Sequence, residues 1–113
     1  MDNQERAHEF IMNRVRAIQA ECGGAVRTSN SGVPHLIIHI GWRLYSVCYF
    51  KKSHTYTLYV DYATSNNREL RRFPAQDPTR LVNYVHKIYE SADAQMEDEW
   101  GANGYTPTNQ VPN

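Results

Sequence analysis

Apolar residues recur along this chain with two different periods, and the switch between them divides it into elements. Ala7, Phe10, Ile11, Val15, Ile18 and Cys22 fall at helical spacings, while Glu5, Glu9, Asn13, Arg16 and Gln19 take the opposite side. This predicts an amphipathic helix. Asp2 or Asn3 stands where a cap is needed. Gly23-Gly24 ends the helix, because glycine accepts the left-handed conformation after a last turn.

From Ala25 the period drops to two. Ala25 to Thr28 is a short strand, Ser29 to Gly32 supplies turn chemistry, and His35 to Ile40 is a second strand. Gly41-Trp42 fits a two-residue hairpin with glycine at the first central position, where a positive φ is required. The return strand is Arg43 to Phe50, with Ile38 opposite Tyr45 and Leu36 opposite Val47. The alternative, a bulge at Gly41 in one long strand, partly reverses those faces. Lys51 to His54 leads into Thr55–Tyr62, where Tyr56, Leu58, Val60 and Tyr62 share one face and Thr57, Tyr59 and Asp61 the other. Arg68 to Phe73 reads as a short, highly charged edge strand.

Pro74 stops that strand, and Asp77-Pro78 opens a second helix with Leu81, Val85, Ile88 and Tyr84 as its buried stripe. The expected fold class is α+β, a two-layer sandwich of N-terminal helix, antiparallel meander of three to five strands and C-terminal helix. Residues 1–93 form one α+β domain, and residues 94–113 form an acidic, then Gly/Pro/polar tail. Both helices pack on one sheet face, which leaves the other face open to water or to a partner.

The 113 residues suit one domain, and 41% hydrophobic with 21% charged residues argues for a folded core. Twelve cations balance twelve carboxylates, which excludes a uniformly basic coat. The charges are nevertheless segregated. Residues 24–90 carry a net +5, whereas residues 91–113 hold Asp93, Glu97, Asp98 and Glu99 with no Lys or Arg. Two cysteines make no disulfide scaffold, and no apolar run is long enough to cross a bilayer, so the expectation is a cytoplasmic protein without membrane contact.

Catalytic chemistry finds no anchor. His35 and His39 sit about 13 Å apart on a strand, too far to chelate one metal. Cys48 lies in an apolar run and reads as a small buried hydrophobe, even with His39 across the hairpin, and Cys22 reads the same way. Asp61 and Glu69 form no acid pair with a fixed geometry, and Arg68 or Arg71 is the better partner for them. With no phosphate-binding loop, nucleophile elbow or dinucleotide fingerprint, the expectation is a non-enzyme without cofactor or metal.

Two binding readings follow. Tyr59, Asp61, Arg68, Arg71, Arg72, Glu97, Asp98, Glu99 and Trp100 are the candidate partner-binding residues, since Tyr, Trp and Arg dominate interface energies and the acidic segment complements a basic surface. The alternative is nucleic-acid binding by basic hairpins carrying Arg43, Lys51, Lys52, Arg68, Arg71 and Arg72, with exposed tyrosines for stacking. The helix, strands, helix order invites comparison with the double-stranded-RNA-binding domain, but the second helix carries Lys87 alone where that family has a run of lysines. Across residues 3–91 the element order resembles small phage or mobile-element proteins that inhibit host defence complexes. That resemblance implies a non-catalytic modulator that blocks the surface of a protein or ribonucleoprotein target. A homodimer through the Arg68 to Phe73 edge is a further expectation.

Overall fold

A computed structural model describes the backbone of residues 3–97 and the side chains of residues 3 and 5–92. In chain order the elements are α1 (Asn3–Cys22), β1 (Ala25–Thr28), β2 (Pro34–Ile40), β3 (Arg43–Phe50), β4 (Thr55–Val60), β5 (Arg68–Pro74) and α2 (Pro78–Glu97). The five strands form one antiparallel sheet in sequence order, with β1 and β5 at its edges. This is the α+β sandwich that the periodicity predicts. Asn3 already lies within α1, and Asp2 lies outside the described residues. α2 extends past residue 93 to Glu97, whereas the tail residues 98–113 lie outside the described residues.

The predicted hairpin at Gly41-Trp42 is present. Gly41 takes φ +63°, and Leu36 pairs with Val47 and Ile38 with Tyr45. Carried across β4, this register aligns Val47 with Leu58 and Tyr45 with Val60, so one sheet face is apolar from β2 to β4. Val15 and Ile18 of α1 and Leu81 and Val85 of α2 close over that face, each at most 1% exposed. Truncating a side chain such as Leu36, with 0% exposure, would cost about 2–5 kcal/mol because little can collapse into the space. Phe10 departs from the predicted buried stripe. It is 40% exposed at the margin of α1, where Arg14 and Lys51 approach its ring.

The helix ends are tied to the rest of the fold. The Gly23 N–H donates to the Gln19 carbonyl at 2.8 Å, the bond expected of a left-handed C-terminal residue. Two further carbonyls of the last turn accept from α2. The Tyr89 hydroxyl donates to Cys22 O at 3.0 Å, and His86 Nε2 lies 3.2 Å from Glu21 O.

Two departures from regular alternation shape what the sheet presents. At the β4/β5 register shift, Leu58 faces Arg71 but Tyr59 faces Glu69, so Leu70 is the extra residue of a bulge. Residues three apart on a regular strand point to opposite faces. The bulge brings Glu69 and Arg72 onto the same face, where they form a two-pronged ion pair at 2.9 and 3.1 Å. The second departure corrects the predicted strand Thr55–Tyr62. β4 ends at Val60 because Asp61 turns left-handed at φ +59°, a conformation Asp tolerates better than most residues. Tyr62 therefore leaves the row of Tyr56, Leu58 and Val60. Its N–H reaches the Leu44 carbonyl on β3, and its hydroxyl lies 3.0 Å from His35 Nε2 on β2.

Candidate functional site

Both helices cover the face of Leu36, Val47 and Leu58, so alternation leaves the other face without a helix. On the three central strands that second face carries His35, Ile37 and His39, then Leu44, Ser46, Cys48 and Phe50, then Thr55, Thr57 and Tyr59. None of these is Lys, Arg, Asp or Glu. A water-facing sheet surface ordinarily alternates apolar-in with polar-out, so a wide band free of those residues is unusual. Leu44 is 37% exposed and Phe50 44% exposed. Between them Ser46, flanked by Ile37 and Tyr59, and Thr57 are almost completely buried without any helix above them. Charged side chains stand at the margins, Arg27 on β1 and the Glu69–Arg72 pair on β5.

The sequence-predicted residues divide among three places. Tyr59 is on the helix-free face as expected, half-buried, and burial is the main cause of its raised phenol pKa. Asp61 is not presented outward beside it. The left-handed turn sends its carboxylate to Arg43, which donates two hydrogen bonds at 3.1 and 2.9 Å, and to Arg68 at 3.4 Å. Those bonds hold the Asp61 carboxyl below the usual carboxylate range, hydrogen bonding to Arg43 first among the causes. Arg43, Asp61 and Arg68 thus clamp the β4–β5 loop to the β2–β3 hairpin.

Arg71 and Arg72 face opposite ways. Arg72 is on the helix-free side with Glu69, whereas Arg71 shares the face of Leu58 and lies 5.6 Å from the Phe73 ring and 5.5 Å from the Tyr84 ring. Glu97 is the last residue of α2, and Asp98, Glu99 and Trp100 lie outside the described residues. The basic residues of the two hairpins are therefore divided between the two faces of the sheet.

Trp42 escaped the sequence reading because the turn chemistry of Gly41 accounted for it. At 81% exposure it is the most exposed large hydrophobic residue described, and Arg43 lies 5.4 Å from its ring centre. Arg80 was also missed. Arg80, Asn83, Tyr84 and Lys87 have the spacing of one helix face, and they line cavities beside β5.

Reactive groups stay apart. His39 pairs with Leu44 while Cys48 pairs with Thr57 further along β3, so no thiol–imidazole couple forms. Cys22 is buried as expected, whereas Cys48, on the helix-free face, is only half-buried; desolvation still raises its thiol pKa, and burial with Glu21 nearby pushes Cys22 up to about 11, the reverse of what a nucleophile needs. Among the described residues no three His, Cys, Asp or Glu side chains converge as metal ligands, and no helix is long and apolar enough to cross a membrane. Comparison of the chain with protein-family models, with curated proteins and with solved structures yields no match.

Proposed function

We propose that the protein is a non-catalytic protein-binding modulator, and that it covers its target's surface with the helix-free sheet face. The observation that carries this reading is the band of β2, β3 and β4 without Lys, Arg, Asp or Glu, bearing exposed Leu44 and Phe50 and bordered by Arg27, Glu69 and Arg72. Protein interfaces have this anatomy, a core depleted of charge inside a polar rim. Tyr59 supplies the aromatic group with a polar end that such cores favour, and the acidic run Glu97 to Trp100 adds an anionic contact for a basic target.

The test is a nuclease-treated pull-down from lysate of the source or its host, run in parallel with wild type and a Leu44→Glu, Phe50→Glu variant. Both side chains are substantially exposed, so the variant retains its fold, which circular dichroism checks. A partner at near-equal stoichiometry with wild type that is lost with the variant supports the proposal. Equal retention of every partner by the folded variant would overturn it.

A further inference from the structure

A second surface lies on the opposite layer and has a different chemistry. α2 rests on β5 where Tyr84 meets Phe73, with ring centres 5.6 Å apart, and its later turns pass close to the β2–β3 hairpin, where Ala92 sits 3.5 Å from a methyl built on Gly41. The helix therefore crosses the sheet from β5 toward the β2–β3 hairpin, and a wedge opens along its flank, beside β5 at its earlier turns and beside the hairpin at its later ones. Two cavities of about 460 and about 210 Å³ occupy the wedge and share Tyr84 and Lys87 as walls.

The larger cavity is mainly apolar, and the charged residues that line the two are all cationic. Arg43, Arg71, Arg80 and Lys87 contribute to the lining, Arg72 borders it while its side chain turns to Glu69 on the other face, and among the described residues no Asp or Glu lines it. Arg43 and Arg72 are matched by Asp61 and Glu69, but Arg71, Arg80 and Lys87 form no ion pair among the described residues. Arg80 and Lys87 are two helical turns apart, about 10.5 Å, with Asn83 between them as a hydrogen-bonding group. At the far end of the larger cavity stands Trp42, 81% exposed, with the Arg43 guanidinium over its ring.

We infer that this wedge binds single-stranded nucleic acid, its phosphates meeting Arg71, Arg80 and Lys87 and one of its bases stacking on Trp42. Cations in a row attract any polyanion, but the adjacent flat aromatic selects among them. A run of Asp and Glu alone has no π-face to lay on the indole, and a duplex keeps its bases stacked on each other, whereas a single strand offers both backbone charge and an open base at every step. The inference is independent of the sheet-face reading, because the wedge lies in the helix-bearing layer.

The test is fluorescence anisotropy with labelled 12-nucleotide oligo-dT and oligo-U, a hairpin duplex of similar length, and a polyglutamate competitor, across a salt series. The single strands should bind at low salt and more tightly than the duplex. Arg80→Ala with Lys87→Ala should weaken binding at least tenfold and flatten the slope of log K against log salt by about 1.4, two phosphates at roughly 0.7 each. Trp42→Ala should weaken binding by about 5- to 150-fold, the range for one stacked base, and Trp42→Phe should restore most of it. Lys51→Ala with Lys52→Ala, outside the wedge, should bind as wild type. No binding by the single strands, unaltered binding by either wedge variant, or displacement by polyglutamate at equal charge concentration would overturn the inference. The last result would assign the wedge to an acidic protein segment.

Discussion

Gly23 and Gly24 provide a controlled comparison, because both are left-handed and only one is confined. At Gly23, φ +78°, an added methyl meets nothing within 4 Å, so Gly23→Ala should cost only the backbone penalty of about 1–2 kcal/mol. At Gly24, φ +95°, the same methyl would lie 2.5 Å from the Ile37 carbonyl oxygen and 3.1 Å from Ile38 Cγ1. The carbonyl cannot swing away freely, since Ile37 is held between Ala25 of β1 and Ser46 of β3. Forcing extra volume into packed structure costs about 1–3 kcal/mol, which brings Gly24→Ala to about 2–5 kcal/mol in all.

Urea unfolding followed by circular dichroism measures both variants against wild type, with equal m-values as the condition for comparing midpoints. Gly24→Ala should be less stable than Gly23→Ala by about 1–3 kcal/mol, a sizeable share of a domain stability of about 5–15 kcal/mol. Equal losses in the two variants would refute the close approach of the α1–β1 joint to β2. The functional consequence is local. Ile37 projects from that point of β2 onto the helix-free face beside Ser46, so displacing its backbone deforms the proposed interface as well.

Three further outcomes follow from the same geometry. The Asp61 carboxyl is held below its ordinary value, so the stability it contributes is complete above the unfolded pKa of about 3.9 and is lost as pH falls through the lower folded value. The stability gap between wild type and Asp61→Asn should therefore persist at neutral pH and close on acidification below about pH 4 in urea titrations, and a gap independent of pH would contradict the Arg43 clamp. Tyr89→Phe removes the donor to the Cys22 carbonyl and should cost about 0.5–1.5 kcal/mol in the same assay, with no loss of helix signal before global unfolding. Because Cys22 is buried and its thiol pKa is pushed up to about 11, iodoacetamide should modify it at least about tenfold more slowly in the native protein than in denaturant, and mass spectrometry showing Cys22 reacting at the free rate would contradict its burial.

What the sequence made legible was set by how local the cause is. The β2–β3 register could be read from residues 35 to 50 because two period-two runs flank Gly41-Trp42, and a two-residue loop leaves one register in which Leu36 meets Val47. The fate of Tyr62 could not. Alternation carries the strand past Val60, and only the ion pairs of Asp61 with Arg43 and Arg68 and the contact with His35 reveal that the chain turns and crosses to the other face. The bulge at Leu70 was hidden for a similar reason, since an extra residue in an edge strand leaves no mark on composition. Arg80 and Lys87 were different, because their seven-residue separation already placed them on one helix face. They acquired meaning once Arg71 and Trp42, distant in sequence, were found beside them.

A formal charge of zero conceals a sorting of charge between the two layers. The sheet face is free of Lys, Arg, Asp and Glu over three strands, while the wedge gathers Arg43, Arg71, Arg80 and Lys87 and, among the described residues, no carboxylate. The two proposed surfaces would therefore select partners by different physics. Contacts on the sheet face would draw on apolar burial, which salt leaves intact or strengthens, whereas nucleic-acid binding in the wedge would release counterions and weaken steeply as salt rises. The β2–β3 hairpin joins them, since Tyr45 lines the wedge, Leu44 beside it points to the sheet face, and Trp42 lines cavities with both. A ribonucleoprotein target that met both surfaces would make its second contact intramolecularly, so each surface could be individually weak and the pair still hold.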